Sequence, residues 1–266
     1  MTQLTEQHAT HREVELLEIL RGLGGSARTV ALAEALDVSE ETVRRTVKAL
    51  AKAGLVQRVH GGVYLTNKDA QTPVASRLGK QSSEKAQIAR KAAKLIPDGA
   101  CVFLDVGSTT AYVAEALQSH KDLTVVTNAL TPTMSLIGRN GNRVFVAGGE
   151  ARDVELGTFG AATLQFLEKF NVDIAVLSVD GIDPNTGFLL ANFEEAEVSR
   201  LMTRQSRRCV MVVDNSKFGQ TAAHVAASPQ DIDVLITDKP LRPVFHEAMA
   251  GWDIEVKIAQ LDGQNS

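Results

Sequence analysis

The sequence predicts an α/β protein in two parts, a small helical module closed by a hairpin and a larger, mostly parallel α/β unit. Three observations carry this expectation. Residues 11–66 set out helix-period segments and then two short apolar runs around a glycine pair. Residues 67–83 are polar and contain Pro73 and Gly79, as a connector would. From Glu84 onward helix-period and strand-like runs alternate, the pattern of parallel strands joined by helices. The expected division is therefore 1–66, 67–83 and 84–266.

Composition bounds the reading. A chain of 266 residues fits one large domain or two ordinary ones. Hydrophobic residues at 44% and charged residues at 23% are close to the globular average, which excludes a disordered or fibrous chain. Aromatic residues are only 5%, so aliphatic side chains must fill the core. No apolar run approaches the roughly 20 residues that span a bilayer. The opening MTQLTEQHATHREVELL lacks the basic-then-apolar order of a secretory signal. A cytoplasmic protein with no membrane partner is expected. Cys101 and Cys209 each sit in an apolar run, where cysteine behaves as a small hydrophobe. With no C-x-x-C and scattered histidines, no metal site is expected.

Taken in order, Val14, Leu17 and Leu20 give helical spacing from His11 to Arg21, ended by Gly22, Gly24 and Gly25. A short helix follows over about Val30 to Leu36, then the turn Asp37-Val38-Ser39. Ser39 is a natural N-cap, and Glu40 and Glu41 suit the positive end of the next helix. That helix runs from about Glu40 to Ala53, stopped by Gly54. It turns Val43, Val47 and Leu50 to one side and Thr42, Arg45, Lys48 and Lys52 largely to the other. Leu55 to Val59 and Val63 to Thr66 read as strands around His60-Gly61-Gly62. This order is that of a winged helix-turn-helix.

Net charge is −4, which argues against a nucleic-acid partner until the distribution is examined. From Thr42 to Lys68 stand Arg44, Arg45, Lys48, Lys52, Arg58 and Lys68 with no Asp or Glu, a formal charge of +6. A narrow cationic helix beside a wing is what groove entry and phosphate contact require. A helical bundle with a merely solvated basic face is the plainer alternative.

In the second part helices are expected over Glu84–Leu95, Thr110–Leu117, Ala161–Phe170, Glu194–Gln205 and Pro243–Gly251. Strands are expected over Ala100–Asp105, Leu123–Thr127, Arg143–Ala147, Ile174–Val179, Val210–Asp214, Val234–Thr237 and Glu255–Ala259. Ligands of open α/β sheets bind at the carboxyl ends of strands. Those ends read Asp105-Val106-Gly107-Ser108-Thr109-Thr110, Thr127-Asn128, Gly148-Gly149-Glu150, Asp180-Gly181 and Asp214-Asn215-Ser216-Lys217. The first runs into a helix, offering backbone N–H groups and hydroxyls to an anion. Singly, each reads as well as a turn, an N-cap or a solvated lysine. The dinucleotide and P-loop motifs are absent, so no nucleotide cofactor is expected.

Together these runs resemble the DeoR/GlpR-type bacterial transcriptional regulators from about His11 to Pro240. They include Val38-Ser39-Glu40-Glu41-Thr42-Val43-Arg44-Arg45, Arg58-Val59-His60-Gly61-Gly62, Asp105 to Thr110, Glu194-Glu195-Ala196-Glu197-Val198 and Asp214 to Gly219. The resemblance implies a sequence-specific repressor of a sugar or polyol catabolic operon, released by a phosphorylated sugar and built as a homodimer or homotetramer. Its second part would share the sugar-phosphate isomerase and CoA-transferase fold. Carried over by position, Ser39, Thr42, Arg44, Arg45, Lys48, Lys52, Arg58 and His60 would face a double-stranded DNA operator. Gly107, Ser108, Thr109 and Thr110 would hold the phosphate. Asp105, Thr127, Asn128, Gly148, Gly149, Asp180, Gly181, Glu195 and Lys217 would surround the sugar. One departure stands out: the family follows its paired arginines with Asp-Leu, and here Thr46-Val47 stand there, removing a carboxylate that could orient an arginine. Two rivals remain, a sugar-phosphate isomerase using Asp180, Glu195 and Lys217 for proton transfer, and a ligand-free scaffold for protein partners.

Overall fold

A computed structural model describes residues 10–23, 26–59, 62–65 and 73–259. The first part contains helix α1 (His11–Gly22), strand β1 (Ser26–Arg28), helices α2 (Thr29–Ala35) and α3 (Glu40–Lys52), and strands β2 (Val56–Val59) and β3 (Gly62–Leu65). Leu17 and Leu20 turn inward as expected, with Leu16 beside them, while Val14 stays exposed. Leu16, Leu17 and Leu20 of α1, Leu32 of α2, and Val43, Val47 and Leu50 of α3 are buried together with Val56 and Val63. Ser39 caps α3, accepting the Thr42 N–H at 3.3 Å, a contact worth about 1 kcal/mol. Strand β1 was not foreseen. It pairs antiparallel with β3, so the wing is a three-stranded sheet in the order β1-β3-β2.

The expected connector is partly helical. Within the supposed connector, Val74–Leu78 forms a short helix, α4, and α5 begins at Ser82 and ends at Ala93. A seven-stranded parallel sheet follows. It takes β4 (Cys101–Leu104), β5 (Thr124–Thr127), β6 (Arg143–Val146), β9 (Ile174–Leu177), β12 (Cys209–Val212), β14 (Val234–Thr237) and β15 (Glu255–Ile258). Their order is β15-β14-β12-β9-β4-β5-β6, with every pairing parallel.

The central strands are buried on both faces, which is why they read as unbroken apolar runs rather than alternating ones. Phe103, Val126, Ala175, Leu177, Met211 and Leu235 enter one core with α8 (Ala161–Leu167), α9 (Phe193–Arg204) and α10 (Pro243–Gly251). Val102, Leu104, Val125, Val176, Val212 and Ile236 enter the other with α5, α6 (Ser108–Ala116) and α7 (Leu130–Leu136). The order of strands reverses between β4 and β9, so the sheet's topological switch point lies there.

Two small antiparallel sheets stand beside this frame, and the sequence reading missed both. One is the hairpin of β7 (Glu150–Arg152) and β8 (Gly157–Phe159). The other joins β10 (Gly181–Asp183), β11 (Gly187–Leu190) and β13 (His224–Ala227). Among the described residues no helix is long and apolar enough to cross a membrane, and no cluster could hold a metal ion. Both cysteines are free thiols.

Candidate nucleic-acid interface and effector site

On α3 the buried stripe Val43–Val47–Leu50 leaves Arg44, Arg45, Lys48 and Lys52 exposed. They are not equivalent. The Arg44 guanidinium lies 3.1 Å from Glu40 and 3.5 Å from Glu41, so its charge is partly answered within its own helix. Thr46 donates its hydroxyl to the Thr42 carbonyl at 3.0 Å, and the Thr42 and Ser39 hydroxyls are 2.9 Å apart. The helix thus begins in a web of short polar side chains. A cavity lined by Thr29, Val30, Glu40, Arg44, Val47, Arg58, Gly62 and Val63 lies between α3 and the wing strands. Exposed Arg58 of β2 and Arg44 of α3 both line it. His60 lies outside the described residues.

The second site forms where β4 and β9 end. Asp105 is buried and accepts the Ser178 N–H at 2.9 Å, tying the two strand ends together across the switch point. Its other carboxylate oxygen has no partner among the described residues. Burial pushes this carboxyl well above the usual range, and the charge of Asp180 adds to the effect. Gly107 follows with φ +146°, and a Cβ there would collide with the Ser178 hydroxyl. Only glycine lets the chain turn this tightly into α6. Ser108, Thr109 and Thr110 are all buried in the first turn of α6, and no side chain caps that turn. Helix α9 differs, since Asn192 accepts the Glu194 and Glu195 N–H groups there. An uncapped helix start turns backbone N–H groups and a positive dipole end outward, a geometry that suits an anion.

Neighbouring strand ends bring further polar groups to the switch point. Asn128 is fully buried, donates to the Thr158 carbonyl at 3.0 Å, and keeps its amide oxygen unpartnered among the described residues. Thr127 is a different matter. Its hydroxyl donates to the Leu104 carbonyl at 2.5 Å and accepts the Ala129 N–H at 2.9 Å, so it holds the β4–β5 pair rather than facing a ligand. Asp180 accepts the Ala191 N–H at 3.0 Å, while its own N–H bonds to the Leu189 carbonyl. Gly181 lies against the Gln220 carbonyl, where any Cβ would collide, and so serves a close backbone approach. Gly149 has φ +146° and packs against Thr163 and Phe159, and the Gly148 carbonyl accepts the Thr163 hydroxyl at 2.7 Å. Lys217 is half-buried at the end of the turn Asn215–Lys217, whose first carboxylate, Asp214, is occupied by Ser216.

Glu195 is buried, and burial together with the charges of Asp180 and Glu155 raises its carboxyl well above the usual range, opposed by Arg77. Sequence reasoning missed Arg77 and Glu155. Arg77 projects from α4 and pairs with Asp180 at 3.5 Å, its side chain only 13% exposed. Glu155 sits in the turn of the β7–β8 hairpin, and the Val154 carbonyl in that turn accepts the Val74 N–H at 2.7 Å. Arg152 of the hairpin pairs with Glu194 of α9. The hairpin is thus a lip tied on one side to α4 and on the other to α9. Burial favours the protonated, donor-capable form of Asp105 and Glu195, a form suited to hydroxyl recognition.

Comparison with known proteins agrees with this two-part layout. Residues 12–69 match the DeoR-like helix-turn-helix domain, and residues 80–239 match the DeoR C terminal sensor domain. The glycerol-3-phosphate regulon repressor of Escherichia coli K12 is 37% identical over 249 residues, covering 94% of this chain and 98% of that protein. The HTH-type transcriptional repressor CsqR of the same organism is 31% identical, covering 97% and 99%. Among solved structures, ribose 5-phosphate isomerase A of Methanocaldococcus jannaschii aligns with a TM-score of 0.38 at 18% identity, over 52% of this chain and 55% of its own. A 4-hydroxybutyrate CoA-transferase of Porphyromonas gingivalis aligns with a TM-score of 0.40 at 14% identity, over 64% and 52%.

Proposed function

The chain belongs to the DeoR family of transcriptional regulators, and on that premise we propose that it represses a sugar or polyol catabolic operon and is released by a phosphorylated metabolite. The observation that carries this reading is the uncapped, buried start of α6 at the sheet's switch point, with unspent oxygens of Asp105 and Asn128 beside it. A phosphate would take the α6 N–H groups and the Ser108 and Thr109 hydroxyls, the Thr110 hydroxyl being spent on the Gly107 carbonyl at 3.0 Å. Hydroxyls of the sugar would take Asp105, Asn128, Asp180 and Glu195. The division into a DNA-binding part at 1–66 and a sensing part from 84 is part of this proposal. So are the α3 contacts to an operator, action in the cytoplasm and assembly as a homodimer or homotetramer.

The glycerol-3-phosphate repressor of Escherichia coli makes glycerol 3-phosphate the first candidate effector. An isomerase reading is not favoured, because relatives matched along nearly the whole chain are repressors. Effector action requires different affinities for the two arrangements of the DNA-binding parts, since a ligand that binds both equally shifts nothing. The test is to select genomic fragments with the purified chain and then add glycerol 3-phosphate, pentose phosphates and hexose phosphates. Release by one of them is expected, and Ser108→Ala combined with Lys217→Ala should abolish release while operator affinity persists. A chain that prefers no fragment with or without these compounds would overturn the proposal.

A further inference from the structure

Helix α4 lies in the stretch that leads from the DNA-binding part into the sensing part, yet it is fastened to the sensing crevice from several sides. Its first N–H, from Val74, bonds the lip at the Val154 carbonyl. At its other end the Tyr112 hydroxyl of α6 donates to the Leu78 carbonyl at 2.9 Å. Buried Lys85 of α5 donates to the Arg77 carbonyl at 2.7 Å and to the Lys80 carbonyl at 2.6 Å. Among these anchors one enters the crevice itself, the Arg77 guanidinium, which pairs with Asp180 and opposes the raised proton affinity of Glu195. Its Nε is buried with no partner among the described residues, so the fork is only partly used.

We propose that Arg77 is an effector-binding residue supplied by the connecting segment, and that a phosphorylated polyol competes with Asp180 for its guanidinium. The inference rests on the effector reading above and extends it to a residue outside the strand-end loops. Physical reasons support it. A phosphate entering a crevice walled by Asp105, Asp180, Glu155 and Glu195 needs a cation, and an arginine fork matches phosphate or vicinal hydroxyl oxygens in two places at once. Because Arg77 sits on the segment leading toward the DNA-binding part, any change in its partner is felt by α4 directly. Occupancy of the crevice and the anchorage of the connector then become one event.

The experiment uses the full chain. Calorimetry measures binding of glycerol 3-phosphate and of the pentose and hexose phosphates, and hydrogen exchange reports amides 74–81, for the wild type, Arg77→Met and Arg77→Lys. The wild type is expected to bind one of the compounds and to change its exchange at 74–81 on binding. Arg77→Met should bind at least roughly tenfold more weakly, with exchange at 74–81 no longer responding, and Arg77→Lys should fall between. Should Arg77→Met fail to fold, Arg77→Lys carries the same test, with roughly a fivefold loss expected. Affinity within about twofold of the wild type in the folded variants would overturn the inference while leaving the effector reading intact. Raised exchange with unchanged affinity would also overturn it, since that is what a purely structural arginine would show. If the wild type binds none of the compounds, the effector reading falls and this inference falls with it.

Discussion

Gly107→Ala tests the geometry of the sensing crevice at its tightest point. Gly107 holds φ +146° and ψ 156°, outside the range of residues with a Cβ. Forcing alanine there costs about 1–3 kcal/mol of backbone strain. The added Cβ would also collide with the Ser178 hydroxyl and stand 3.1 Å from the Thr110 hydroxyl, and overpacking of that kind costs about 1–3 kcal/mol more. The expected destabilisation is therefore about 4 kcal/mol. Ser178→Ala separates the two contributions. It deletes the oxygen and leaves the Ser178 Cβ 3.6 Å from the new Cβ, an ordinary contact. On its own it should cost below about 1 kcal/mol, since the hydroxyl's bond to the Val106 carbonyl is 3.4 Å long. Urea unfolding of the wild type, both single variants and the double variant closes the cycle. The double variant should recover about half of the loss. A neutral Gly107→Ala, or a double variant no better than the single one, would refute the placement of Ser178 against the α6 turn.

Other expectations follow from the same structure. Arg45→Ala should lower the salt slope of operator binding by about 1, and Arg44→Ala by less, because Glu40 and Glu41 already answer Arg44; equal slopes would argue against that pairing. Asp105→Asn should gain stability over the wild type as pH rises above the ordinary carboxylate range. The folded chain holds the Asp105 proton above the pH at which the unfolded chain releases it, so the wild type loses stability over that rise and the amide does not. A gap independent of pH in thermal unfolding would contradict the raised carboxyl. Burial pushes the Cys209 thiol up to about 11, so a thiol reagent near pH 8 should label it only as the chain unfolds; rapid labelling of the folded chain would contradict its burial.

Much of the architecture was legible because it rests on local periodicity. The α3 stripe of Val43, Val47 and Leu50 and the Ser39 cap are read within a single turn or two of helix, and the structure bears them out. Strand β14 and helix α10 fall at the residues expected, because an unbroken apolar run and a Pro243 start are both strong local signals. Helix α7 was missed because Pro132 and three polar residues interrupt a seven-residue stretch. Strands β7, β8 and β10 hold only three residues each, too few to show a period. The candidate site was legible where glycine and hydroxyl residues follow a strand. It was not legible at Arg77, whose meaning depends on Asp180, a residue far along the chain and across the crevice. Thr127 shows the converse: a polar residue at a strand end whose hydroxyl is used up in holding the strands together.

Lys85 gives the connector its mechanical character. An ammonium sealed from water donates to the Arg77 and Lys80 carbonyls, so opening the corner between α4 and α5 would strip two bonds from a buried charge, and weakening the compensation of a buried charge is costly. The corner between α4 and α5 is thereby braced from the inside, at the Arg77 and Lys80 carbonyls.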